Sequence, residues 1–264
     1  MIYYFGNIKK IKKEKKMKKS FKKILFTVLT VFAVFFVVAC GNKEDSNINK
    51  EEVFKKAAEV ANDIKSGNKL VNTIMEIKGG VTVEYIIDSS IIIEPFSMKF
   101  TLEQKGQDAK VTTFVKDGIM YMSNPINNTW EKQAATFETI EPFKNALDTS
   151  TEIYNMLKDH LDKVDIKEKD GNYIITVPKN SDFIKESLKE QMNSIVGQSP
   201  DFNPNNVTLE YVIDKETYFP KVLSLSFEAK LDEQDVKVTT TNTLSNINSV
   251  GEITVPEEAL NSNN

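Results

Sequence analysis

The hydrophobic rhythm of the chain changes several times, and each change predicts an element. From Glu51 to Ser66 apolar residues recur every three or four positions, at Val53, Ala57, Val60, Ala61 and Ile64. That spacing lays one dry stripe along a helix. Glu51 and Glu52 in its first turn and Lys65 in its last suit the helix dipole, and Gly67 reads as its stop. From Leu70 the period falls to two. Val81, Val83, Tyr85 and Ile87 alternate with Thr82, Glu84, Ile86 and Asp88, and Phe96, Met98, Phe100 and Leu102 with Ser97, Lys99, Thr101 and Glu103. Strands of this kind have one apolar and one wet face, as in antiparallel sheets. Lys105-Gly106 and Asp117-Gly118 read as tight turns. Residues 118–122 read as a further strand, followed by a Pro/Asn loop that leads to Trp130.

Thr136 to Leu161 reads as helix in two pieces, one carrying Phe137, Ile140, Phe143 and Leu147 and the other Ile153, Tyr154, Leu157 and Leu161, with a break near residues 148–150. Asp170-Gly171 joins strands 164–169 and 172–177 in a hairpin. Ser181 reads as the cap of a helix whose stripe is Ile184, Leu188, Met192 and Ile195. After a loop over 200–206 come strands at 207–214, 222–231 and 236–244, then a short closing strand at 252–255. The segment 81–88 (VTVEYIID) returns as 207–214 (VTLEYVID), and 107–113 (QDAKVTT) as 234–240 (QDVKVTT). A near-constant offset is what two related halves would leave. Chance matching of amphipathic strands leaves the same trace, and both readings stay open.

The N-terminus has another logic. Lys18, Lys19, Lys22 and Lys23 precede an uncharged run from Ile24 to Ala39, and Cys40 follows. A positive segment, an apolar core of about 16 residues and a small residue before a cysteine have the order of a secretory signal. The run is short of the roughly 20 residues that span a bilayer comfortably. Met17 is a second candidate start. Here the chain resembles bacterial lipoprotein precursors, with Val37 where leucine is usual. That resemblance implies that Cys40 is acylated with diacylglycerol and becomes residue one. Two acyl chains anchor stably where one does not.

Charge adds to this picture. Residues 1–39 hold ten of the 34 basic and one of the 38 acidic residues, which leaves 24 against 37, near −13, for the remainder. So acidic a body does not bind nucleic acid by neutralising phosphates, and an anionic membrane surface repels it, so a tether must hold it there. Every basic residue is lysine, which removes the bidentate arginine clamp. His160 is the only histidine and Cys40 the only cysteine, so a catalytic triad or a zinc site lacks its parts. Acidic pairs such as Glu51-Glu52 read as wet surface. Neither a metal nor a cofactor is expected, nor an enzyme.

Taken together, residues 1–39 are expected to be a lipoprotein signal peptide, 40–49 a flexible tether, 50–260 a single α+β domain, with two related halves as an open option, and 261–264 a polar tail. The fold class expected is α+β: one curved antiparallel sheet, a half-barrel, with helices packed on its concave face. The segments VKDGIMYM (115–122), Trp130-Glu131-Lys132, YIITVP (173–178) and ITVPEEA (253–259) resemble a family of Gram-positive lipoproteins similar in outline to the LolA and LppX type of lipoprotein carrier. That resemblance implies a hydrophobic ligand or lipid as partner, on the outer face of the cytoplasmic membrane. It carries over no functional residue. Met120, Met122, Trp130, Phe137, Phe143 and Leu147 are the residues expected to line an apolar ligand cavity, since methionine adapts to varied apolar surfaces. The alternative is an envelope interaction or scaffold module with a filled core, its protein partner unspecified.

Overall fold

The computed structural model of the protein describes residues 48–107, 110–196, 202–231 and 234–262. Eleven strands form one antiparallel sheet: β1 (Ser66–Ile77), β2 (Thr82–Ile92), β3 (Ser97–Gln104), β4 (Lys110–Lys116), β5 (Ile119–Asn124), β6 (Thr129–Ala134), β7 (Asp165–Lys169), β8 (Asn172–Val177), β9 (Asn205–Asp214), β10 (Pro220–Leu231) and β11 (Gln234–Ser245). Their spatial order is β6-β5-β4-β3-β2-β1-β11-β10-β9-β8-β7, so the sheet is open and its first and last strands meet in the middle. The α+β expectation is met. The echoing segments fall in β2 and β9, and in β4 and β11.

Helices α1 (Lys50–Ala61), α2 (Phe137–Lys144), α3 (Thr149–Leu157) and α4 (Asp182–Val196) supply the cover, and a short α5 (Glu257–Leu260) ends the described chain. Asn49 caps α1 by accepting from the Glu52 amide at 3.2 Å, and Asp148 caps α3 through the Thr151 amide at 3.0 Å. Asp148 is also the break expected between α2 and α3. Ser181 precedes α4, and its hydroxyl donates to the Pro178 carbonyl at 2.6 Å. Ile184, Leu188 and Met192 of the α4 stripe are buried; the side chain of Ile195 lies outside the described residues.

Two core clusters sit on the helix-bearing face. The larger joins Val53, Phe54 and Ala57 of α1, Ile153 and Leu157 of α3 and Leu188 of α4 to the inward residues of β7–β11 and the lower end of β1. The smaller joins Ile64, Ile91, Met98, Val115, Met120, Leu147 and Leu244. A third cluster lies on the opposite face. There Ile253, Val255 and Ala259 of the C-terminal segment cover Phe114, Tyr121 and Trp130. Lys116 fastens that segment by bonds to Glu252 (2.8 Å) and to the Ile253 carbonyl (3.0 Å).

Three boundaries differ from the sequence reading. The first helix ends at Ala61 rather than Ser66, because Asn248 captures the following turn: it accepts from the Lys65 amide at 2.7 Å and donates to the Asp63 carbonyl at 3.0 Å. Gly67 is therefore a strand residue, and a Cβ there would meet Leu147 Cδ2 at 3.2 Å. Trp130 lies in a strand, β6, not at the end of a loop. Residues 252–255 pair with no strand; Ile253 and Val255 are buried by packing, while Glu252 and Thr254 face solvent.

The β9–β10 turn is organised by Asp214. Its carboxylate accepts from the amides of Glu216 (3.0 Å) and Thr217 (2.9 Å) and pairs with Lys221 at 2.6 Å. The Lys221 ammonium, then the Thr217 amide, hold its carboxyl down at about 2. A folded pKa below the unfolded value of about 3.9 gives stability that is present above that value and lost as pH falls through 2. Asp214→Asn is expected to cost about 1 kcal/mol at pH 7 and to lose most of that cost by about pH 2. A gap between the denaturant midpoints of the two proteins as wide at pH 2 as at pH 7 would contradict this.

Candidate functional site

The pleat places alternate residues of every strand on the helix-bearing face. One cross-strand row can be followed through nine strands. On one side it runs Val111, Leu102, Ile87, Val71; on the other Leu223, Tyr211, Ile175, Ile166; Asn242 of β11 stands between them. The two arms are not equally covered. Leu223, Tyr211, Ile175 and Ile166 are all buried, under α1, α3 and α4, whereas Ile87, Leu102 and Val111 are only half-buried. The β2–β6 wing has α2 and the 3-10 turn Asn145–Leu147 above it. Among the described residues, the larger cluster has 25 buried members and seven partly buried ones, while the smaller has seven and nine. The wing is therefore an apolar surface with an incomplete roof.

The six residues expected to line a cavity do not form one patch. Met120 and Leu147 are buried and Phe143 half-buried within the smaller cluster, where the rings of Phe143 and Phe100 meet edge to face at 6.0 Å. Met122 shares that face of β5 and is 37% exposed. Phe137, at the start of α2, is 67% exposed. Trp130 points to the opposite face, against Phe114 at 5.8 Å. Read as a loop residue, Trp130 had no parity; in β6 it pairs with Ser123, one position out of step with Met122. Cys40 lies outside the described residues.

The sequence reading missed a polar island at the centre of the same face. Lys69 of β1 is buried, and its ammonium donates to the Ala146 carbonyl at 2.7 Å. Burial pushes its pKa down to about 8, against the pull of Glu152. Glu152 keeps access to water, yet the protein crowded around it raises its carboxyl, with Lys69 opposing and Asp148 adding to the rise. The hydroxyls of Thr73 and Thr240 meet at 3.0 Å, and those of Ser150 and Tyr211 at 2.6 Å. Tyr85 and Asn242 differ from these: the Tyr85 hydroxyl and both amide atoms of Asn242 are buried without a hydrogen-bond partner. Burial alone pushes the Tyr85 phenol up to about 12. Each such unpaired group costs about 1–3 kcal/mol. One available signal was polar Thr240 and Asn242 at the parity of Val236, Val238 and Leu244.

Chemically this face offers apolar surface and a few buried polar atoms without partners. Among the described residues no three histidine, cysteine or acidic side chains are grouped to hold a metal. Two open grooves are lined in good part by charged residues: one of about 730 Å³ at the end of β1, β10 and β11, with Glu76, Lys78 and Asp235, and one of about 550 Å³ beside α1, with Glu52, Glu168 and Lys215; the wing is the more apolar candidate.

An open antiparallel sheet with helices on one face and a partly roofed apolar wing defines the class of protein. The chain belongs to a family of unknown function, DUF6612, whose model matches residues 49–264. No curated protein matches it. Among solved structures it is similar to the lipoprotein LppX of Mycobacterium tuberculosis, at 12% identity and a TM-score of 0.41 over 79% of this chain and 100% of that one. LprF of Mycobacterium bovis matches at 10% and 0.41 over 80% and 97%. A LolA superfamily protein of Nitrosomonas europaea matches at 7% and 0.27 over 80% and 96%.

The buried lysine makes a pH prediction. With its folded pKa near 8 and the unfolded value near 10.4, the unfolded chain binds more protons between the two, so Lys69 makes the fold more stable as pH rises through that window. Urea midpoints compared for the wild type and Lys69→Met are expected to move in favour of the wild type from pH 7.5 to 9.5. A constant difference would show that the ammonium is not shielded from water.

Proposed function

We propose that the protein is an extracytoplasmic lipoprotein, moored by lipid at Cys40 to the outer face of the cytoplasmic membrane, that binds a lipid or other hydrophobic ligand without catalysing a reaction on it. One observation carries the reading: along a single row of the sheet, the side chains of one arm are buried while Ile87, Leu102 and Val111 keep apolar surface in reach of a guest. Burying a side chain of this size in full is worth about 1.5–3 kcal/mol, so three half-covered ones, with Phe100 and Phe143 beside them, leave enough unclaimed burial to hold an acyl chain. The acidic charge of the mature chain supports the need for a lipid mooring. A second reading is favoured by exposed Ile126 and Phe137 near the sheet edge: a partner protein covers the wing instead.

Two measurements test this. A clickable palmitate analogue fed to producing cells is expected to label the wild type and not Cys40→Ser, and the variant is expected to leave the membrane fraction. Native mass spectrometry of the mature chain bearing Cys40→Ala is expected to show a lipid-sized adduct that Leu102→Asp loses at unchanged circular dichroism. A clean apo mass, together with a single protein recovered by crosslinking at the wing, would favour the second reading.

A further inference from the structure

The polar island lies at the closed end of the apolar wing. Asn242 is 0% exposed and Tyr85 3%, and the atoms they leave unpaired are of both kinds. The Asn242 carbonyl oxygen can only accept, its nitrogen can only donate, and the Tyr85 hydroxyl does either. The charges beside them are already matched, since Lys69 faces Glu152 and bonds to Ala146. A second anion there would meet Glu152, and a carboxylate, which only accepts, would leave the Asn242 oxygen unpaired.

We infer that the ligand is an amphiphile with an uncharged, hydroxyl-bearing head of the acylglycerol kind, the head held by Asn242 and Tyr85 and the chain laid along Ile87, Leu102 and Val111. The inference rests on the reading of the wing as a ligand groove. The geometry suits it. Asn242 and Val111 stand on one row, four strand spacings apart, or about 19 Å. That is the scale of a long acyl chain. The head meets polar atoms that have no other partner, so its hydrogen bonds to water are exchanged for new ones without breaking any within the protein.

The test uses three probes with one chain: monooleoylglycerol, whose head donates and accepts; methyl oleate, which only accepts; and oleate, which is charged. Each is titrated into the mature chain bearing Cys40→Ala, below its aggregation threshold, and into the same chain carrying Asn242→Leu or Tyr85→Phe. Monooleoylglycerol is expected to bind about tenfold tighter than either competitor, the effect of one or two buried hydrogen bonds. Asn242→Leu should erase that preference, leave methyl oleate unchanged, and raise the urea midpoint of the empty protein, because it removes an unpaired amide. Tyr85→Phe should reduce the preference in part. Equal affinity for all three probes means that water alone serves the island, and overturns the inference while the groove stands. Tightest binding of oleate overturns it too, as does a lower urea midpoint for Asn242→Leu. If none of the probes binds, the groove itself is wrong.

Discussion

Eleven strands in one sheet create a face that must be kept dry, and the described residues supply four helices of eight residues or more with which to do it. That shortfall governs the rest of the molecule. Three of them, α1, α3 and α4, gather over β7–β11, where they bury Tyr211, Ile175 and Leu223 to 1% exposure or less. The fourth, α2, is two turns long and cannot roof five strands. Hydrophobic stabilisation scales with the area withdrawn from water, so the two wings contribute unequally. The well-roofed side holds most of the fold together, and the other keeps surface available.

The opposite face is managed differently. Outward residues of the sheet are mostly polar, as in Thr239, Thr241, Glu84 and Lys237, with scattered aliphatics such as Leu70 and Val212. Where aromatic residues break that rule, at Phe114, Tyr121 and Trp130, the C-terminal segment crosses and hides them. Lys116 and Lys132 hold the segment through the carbonyls of Ile253 and Leu260. The C-terminal segment thus closes an outer patch, and among the described residues no helix of eight residues or more is diverted from the inner face.

Much of this architecture could be read from residue order. Alternation located most of the strands, the turn residues Asp117-Gly118 and Asp170-Gly171 located two hairpins with both positions at positive φ, and the period of 3.6 located four helices. What escaped has identifiable physical causes. Asn248 ends the first helix from 183 residues away, and no local pattern announces such a clamp. Residues 129–134 (TWEKQA) carry a single large apolar side chain, so β6 had no alternation to show and Trp130 was assigned no face. Residues 252–255 alternate like a strand, but Ile253 and Val255 are held by packing and by Lys116 rather than by pairing with a strand. The polar island escaped because Lys69, Thr240 and Asn242 look like wet residues until their neighbours in register are known. Parity marks a position as inward only when the flanking apolar residues are trusted over the residue itself.

The middle of the sheet is joined by the strands furthest apart in the chain. Thr73 and Thr240, whose hydroxyls meet at that junction, are 167 positions apart. A chain stopped before residue 234 would own every other strand yet hold two separate sheets, β6 to β1 and β10 to β7. Pairings between distant segments carry the largest closure entropy and form late. Both wings can therefore take shape early, and the final strand stitches them into one. That same strand brings Asn242 and Thr240 with it, so completing the sheet and drying the central seam are a single event in the life of each new molecule.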